Sequence, residues 1–214
     1  MLTWCDDSSQ VVDWLSDRTR GRNIAVICFY FDFAARNEQT ATSMLGSLLK
    51  QVISGMERVP EDLLRGLQEQ KKAVSGRKPQ LGDIVKMLQL IMSSQPTFMV
   101  VDAFDECTAV QRFRLFDSLK EIVDNSPDAR IFVTGRPHIR AEVERCLAER
   151  VICVSVAPTR DDIIRFLRAS LSLDETPDAM DDSLEADILE EIPGTVPEMC
   201  VVAIVLRMQS SIAG

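Results

Sequence analysis

The run Asn23–Phe33, NIAVICFYFDF, decides the fold class. Its apolar residues are too continuous for a strand with one wet face. Its Val, Ile, Phe and Tyr favour extended backbone, so it reads as a parallel strand covered on both sides. Three more runs of this kind follow: Thr97–Phe104 (TFMVVDAF) after Pro96, Ala129–Thr134 (ARIFVT), and Val151–Val156 (VICVSV). Between them lie helical periods. Thr40–Ser54 carries Met44, Leu45, Leu48, Leu49 and Val52; Pro60–Lys72 and Leu81–Met92 follow; Val110–Asn125 sets Phe113, Phe116, Leu119, Ile122 and Val123 on one face; Pro137–Glu149 comes directly after the third strand. Strands alternating with helices predict an α/β fold, a parallel sheet with helices on both sides in three layers. After Val156 the pattern is helical only: Thr159–Leu171, about Asp181–Ile192, and Thr195–Ser211. Thr159 before Asp162, and Thr195 before Glu198, have the three-residue spacing of helix caps.

The bulk properties narrow the function classes. The chain of 214 residues is 46% apolar and 27% charged, the composition of one folded domain or of one domain and part of a second. A net charge of −9 with no basic stripe excludes the phosphate-backbone contacts of a nucleic-acid binder. Six cysteines form no CxxC pair. Cys28, Cys146, Cys153 and Cys200 fall in apolar strand or helix patterns, and His138 is the only histidine, so buried reduced thiols are expected rather than a zinc site. Asp174–Glu191 holds nine carboxylates in eighteen positions but lacks the spacing and glycine of a calcium loop, so it reads as a solvated linker and helix face. The start, MLTWCDDSSQ, has no secretory leader pattern, and no apolar run approaches about 18 residues. A cytoplasmic protein without a membrane partner is expected.

The chemistry concentrates in Phe98–Cys107, FMVVDAFDEC. Asp102 ends an apolar strand, and Asp105 with Glu106 follows within a turn. Three acids therefore gather at the carboxyl edge of a parallel sheet, where open α/β folds bind ligands. A carboxylate there can hold a magnesium ion through water while a neighbour polarises an attacking water. The same acids can instead cap the next helix. The following strand ends in IFVTGRP, Ile131–Pro137, and brings Arg136 to the same edge. That guanidinium can read a terminal phosphate or pair with the acids.

The order FYFDF, Glu38-Gln39-Thr40, a helix with SLLKQ, VVDAFDEC and IFVTGRP resembles the NACHT domain of fungal NOD-like STAND P-loop NTPases, in particular the nephrocystin-like N-terminal group, over about Val11–Gln209. The resemblance implies a P-loop-type α/β domain over residues 1–157 and the start of a small all-helical subdomain over 158–214. It implies that VVDAFDEC is a Walker B motif, with Asp102 the magnesium-associated, cofactor-binding acid, Asp105 and Glu106 the catalytic acids that orient or activate water, and Arg136 a sensor near the γ-phosphate. Ala103 stands where many relatives carry glycine. Magnesium and ATP or GTP are the implied cofactors, and a nucleotide-driven regulatory switch, often joined to ankyrin-type repeats, is the implied function.

One motif of that family is missing from these residues. A P-loop reads GxxxxGK followed by Ser or Thr, because glycine-rich backbone cradles phosphates while the lysine and hydroxyl reach phosphate and magnesium. No glycine in this sequence is followed by lysine. The family places that motif just before the helix read at Val11–Arg18, where Trp4–Gln10 does not resemble it. The reading therefore expects a truncated product or misread start, cut also before a winged-helix segment at the other end. It expects a gap in mid-sheet between the strands Ala129–Thr134 and Val151–Val156, poor stability, and weak or no nucleotide binding. Hydrolysis is left open. The alternative function is a non-enzymatic scaffold or decoy that associates with itself or with intact relatives. The very apolar Thr195–Ser211 helix is expected to be buried or to mark a docking face.

Overall fold

Strand β1, Ala25–Tyr30, forms where the first apolar run lies, and pairs in parallel with β2, Thr97–Asp102, from Ala25 opposite Thr97 to Tyr30 opposite Asp102. Strand β3, Ala129–Val133, continues the parallel sheet on the other side of β2, with Val101 opposite Val133. The computed structural model describes residues 5–56, 59, 61–73, 78–147, 151–156, 159–172, 182–195 and 201–206 of the 214. Helix α1, Cys5–Thr19, precedes β1. Helices α2 (Ala41–Ser54), α3 (Glu61–Ala73) and α4 (Leu81–Met92) form the long crossover to β2. Helix α5, Ala109–Asn125, leads to β3, and α6, Arg140–Leu147, leads to β4, Val151–Val156. The expected α/β fold is present.

One face of the parallel strands builds the core. Ile27 and Phe31, Met99 and Val101, and Ile131 and Val133 join one buried cluster with Leu45 and Leu48 of α2, Ile84, Leu88 and Ile91 of α4, Leu115, Phe116, Leu119, Ile122 and Val123 of α5, and Val143 and Leu147 of α6. The alternation of side chains along each strand sends Cys28 and Tyr30 to the opposite face. There α1 lies against β1 and β2, and Asp13 of α1 is close enough to act on the Tyr30 phenol. Phe113 departs from its expected place on the core face of α5. It is 52% exposed, while Phe116, Leu119, Ile122 and Val123 are buried as expected and Leu115 joins them on the core face.

The second half of the sheet corrects the sequence reading. The apolar stretch read as a helix, Thr195–Ser211, contains strand β5, Val201–Leu206, and Thr195 ends helix α8 (Asp182–Thr195) instead of capping a new helix. Helix α7, Arg160–Ser172, packs on α8, so 158–214 holds a helical pair followed by a strand, not helices alone. The strand order is β1-β2-β3-β5-β4. β5 runs antiparallel to both neighbours, with Leu206 opposite Ile131 and Val151, Ile204 opposite Val133 and Cys153, and Val201 opposite Val156. The mid-sheet gap expected between β3 and β4 is thus filled by β5. Two facts drive this. Unpaired N–H and C=O groups on two facing strand edges strongly favour a strand between them. Val201, Val202, Ile204 and Val205 are β-branched, and an uninterrupted apolar run gives no periodicity by which helix could be told from strand.

The outer edge of β1 is closed by a side chain. The Gln51 amide of α2 accepts from the Cys28 N–H at 3.0 Å and donates to the Cys28 carbonyl at 2.8 Å, as a neighbouring strand would. This satisfies two backbone groups that would otherwise face other chains. Helix α2 itself starts at a reciprocal cap in which Thr40 and Ser43 bond each other's backbone N–H, and Gln111 of α5 accepts from the Ala41 N–H at 3.0 Å. Replacing Gln51→Leu removes both edge bonds at similar volume, and should cost about 1–3 kcal/mol in urea denaturation. An unchanged midpoint would refute the edge-capping role.

Candidate functional site

The register that pairs Val101 with Val133 brings the ends of β2 and β3 side by side. Thr134 then acts as a clasp. Its hydroxyl donates to Asp102 Oδ1 and accepts from the Ala103 N–H at 3.1 Å, and its carbonyl accepts from the Phe104 N–H at 2.9 Å. Asp102 and Thr134 are both buried. The chain turns at Ala103, which sits in the left-handed region at φ 52°, ψ 44°. A side chain in that region costs about 1–2 kcal/mol, so the turn is held by its surroundings rather than by local preference.

A short 3-10 turn, Phe104–Glu106, follows. Phe104 is fully buried and lies edge-on between Phe31, at 6.0 Å, and Phe116, at 4.9 Å, which anchors the turn in the core. The anchored turn aims both acids at the β3 exit. Asp105 Oδ1 accepts from the Arg136 N–H at 3.1 Å, and its Oδ2 lies 3.5 Å from Arg136 Nε. Glu106 Oε1 accepts from Arg136 Nη2 at 2.8 Å. Asp105 is 5% exposed and Arg136 69% exposed, so this is a buried acid met by a guanidinium that reaches in from solvent. Gly135 completes the arrangement, since a Cβ there would come within 2.6 Å of Ile139 Cδ1 and 3.3 Å of Asp105 Oδ1.

The structure settles one point the sequence left open. The acids do not cap α5: its N-cap is Thr108, and no acid lies in its first turn. Arg136 pairs with them. All four predicted site residues, Asp102, Asp105, Glu106 and Arg136, come together at one edge. Among the described residues, no group of three or more His, Cys, Asp or Glu side chains is set to hold a metal ion. The carboxylates offer hard oxygen donors, and a magnesium ion is commonly held by one or two carboxylates, with waters and phosphates completing its shell. Asp102 fits that limited role.

Arg112 of α5 is a member that sequence reading missed. Its Nε lies 2.9 Å from Glu142 Oε2 on α6, and its Nη1 donates to the Cys107 carbonyl at 2.7 Å and the Asp105 carbonyl at 3.3 Å. A signal existed: Arg112 is in helical phase with Leu115, Phe116 and Leu119, a charge on the buried stripe. Cys107, beside it, is buried, and that burial pushes its thiol up to about 11, so it stays protonated and unreactive at neutral pH. Cys28, Cys107, Cys146 and Cys153 are free thiols; of those expected to be buried, Cys28, Cys146 and Cys153 are only half-buried, and Cys200 lies outside the described residues.

Tyr30 ends β1 opposite Asp102. Burial, then the nearby Cys28, Asp102 and Asp13, push its phenol up to about 12. The folded form thus ionises later than the unfolded chain, and its stabilising contribution is lost as pH rises from about 10 towards 12. A fall in urea midpoint across that range that Tyr30→Phe makes shallower is the expected result, the buried Cys107 thiol contributing the part that remains. Thr134→Val should cost about 1–3 kcal/mol in the same assay, because it strips a buried carboxylate and a backbone N–H of one partner. A smaller loss from Thr134→Val than from Thr134→Ser would show that the methyl, not the hydroxyl, matters.

Of the described helices, none is long and apolar enough to cross a membrane. A family model described as Nephrocystin 3, N-terminal matches residues 8–136. The match starts inside Trp4–Gln10, which was read as unlike the family, and ends at Arg136, so it takes in the whole acid and arginine edge. No curated protein and no solved structure matches the chain. With more than half of its residues matched, the chain belongs to the nephrocystin 3 N-terminal family.

Proposed function

We propose that the β2–β3 edge is the Walker B and sensor half of a NACHT-type nucleotide switch. The observation that carries this reading is the convergence of a buried strand-end acid, two further acids and an arginine on adjacent parallel strands, at the edge where such sheets bind ligands. Asp102 would hold magnesium through water, and the ion would neutralise phosphate charge. Glu106, less committed to backbone than Asp105, is the better group to orient a water. Asp105 is a positioning acid, since one of its oxygens holds the Arg136 N–H. Arg136, mostly exposed, is free to exchange its carboxylate partners for phosphate oxygens.

The sequence contains no GxxxxGK motif, so strong phosphate grip is not provided by any segment recognisable in these residues. ATP or GTP should bind weakly to this chain alone. The test is magnesium-dependent binding of a fluorescent ATP analogue, with GTP as competitor, to the chain and to its Asp102→Ala/Arg136→Ala variant. Saturable binding that the variant loses supports the switch. Binding that is absent, or equal in both, overturns nucleotide binding by this edge.

A second reading rests on the satisfied state of the edge itself. Asp105, Glu106 and Arg136 neutralise one another, and the sheet is closed by β5, as a scaffold needs no nucleotide to hold it. In that case the chain works by associating with itself or with an intact relative. Mixing with such a relative, without nucleotide, should give a stoichiometric complex by light scattering. The absence of a complex would remove this alternative.

A further inference from the structure

The geometry points to Arg112 as a positioning residue of this edge, a side chain that ties the acid-bearing turn to the helix that follows Arg136. The acids enter on the exit loop of β2 and Arg136 on the exit loop of β3. Their mutual contacts depend on Arg136, and an ion pair with a mostly exposed arginine is weak and screened by salt. Arg112, by contrast with Arg136, is 12% exposed, and its partner Glu142 is 20% exposed, so both ends of that pair are shielded. The Arg112 guanidinium spends one nitrogen on Glu142 and another on the carbonyls of Asp105 and Cys107, which bracket Glu106. Glu142 is in the first turn of α6, and the 3-10 turn Pro137–Ile139 joins that helix directly to Arg136. The planar guanidinium has donors fixed in a fork, so it can hold a carboxylate and two carbonyls in one geometry, which a single ammonium cannot reproduce.

Arg112 therefore sets the distance between the acids and Arg136 without touching either acid's carboxylate. The relevance of that distance to nucleotide rests on the switch reading above; the tie itself does not. Hydrogen exchange of single amides, measured without nucleotide, separates the two. The Glu106 N–H bonds the Ala103 carbonyl at 2.9 Å and reports the turn. The Arg136 N–H bonds Asp105 at 3.1 Å and reports the joint between the two loops.

Arg112→Gln should speed exchange of both amides about tenfold, while Met99 and Val101 in the core strand stay unchanged under the same conditions. Glu142→Gln keeps the carbonyl bonds and loses the charge tie, so it should speed the Arg136 amide and leave Glu106 near wild type. Arg112→Lys should restore Glu106 more than Arg136. Uniform acceleration through the chain would mean a merely structural role, and an Arg136 amide unmoved in every variant would overturn the tie. If Arg112→Gln does not fold, Glu142→Gln decides alone. A chain that fails to bind ATP leaves this result standing, and a negative result here leaves the ATP reading untouched.

Discussion

Everything at the carboxyl edge depends on the Thr134 clasp. β2 and β3 end at nearly the same level, and two parallel strand ends would ordinarily diverge into separate loops. The Thr134 hydroxyl and carbonyl extend the pairing past the ladder by holding Asp102, Ala103 and Phe104. That hold keeps Ala103 in a backbone region unfavourable for it, and the unfavourable turn is what drives Phe104 into the core and Asp105 towards Arg136. A conformation with a local cost persists where surrounding contacts over-determine it. Here those contacts are one hydroxyl and one aromatic stack, with a glycine at 135 that lets Ile139 and Asp105 pack closely against the backbone.

Charge at the edge follows from the same geometry. Three acids close together would repel one another and attract a counter-ion. Arg136 supplies it for Asp105 and Glu106, and Thr134 supplies a hydrogen bond to Asp102. The edge is therefore self-satisfied, and an anionic ligand has to compete for the arginine while a cation has to compete for the acids. Such competition is cheap for Arg136, which is largely in solvent, and costly for Asp105, which is not. That contrast assigns mobility to the arginine and rigidity to the aspartate.

The sheet shows how pairing requirements override local pattern. With β3 and β4 parallel and one strand width apart, a segment between them must be extended whatever its sequence prefers. β5 meets that requirement running antiparallel, with β-branched residues along its length. At the outer margin of the sheet, Gln51 does the comparable task for β1 with a single amide. The inner gap is completed by chain and the β1 border by a side chain.

The four strands of the first 156 residues, the helices between them and the four residues of the edge were all legible in the sequence. Dense Val, Ile and Phe runs, 3.6-residue stripes and acids at a strand end are local signals with local causes, and FMVVDAFDEC with IFVTGRP placed Asp102, Asp105, Glu106 and Arg136. What the sequence could not settle were questions of partnership. Whether the acids capped α5 or held Arg136 depended on a positive φ at Ala103 and on a register between strands about thirty residues apart. Whether Val201–Leu206 was helix or strand depended on two edges more than forty residues upstream in the chain, since a run apolar at every position carries no period. Arg112 was visible as a charge on a buried stripe, but only the packing of α5 on α6 and on the acid-bearing turn showed what that charge holds. Local preference wrote the elements; long-range hydrogen bonding, which has no trace in neighbouring residues, chose their partners.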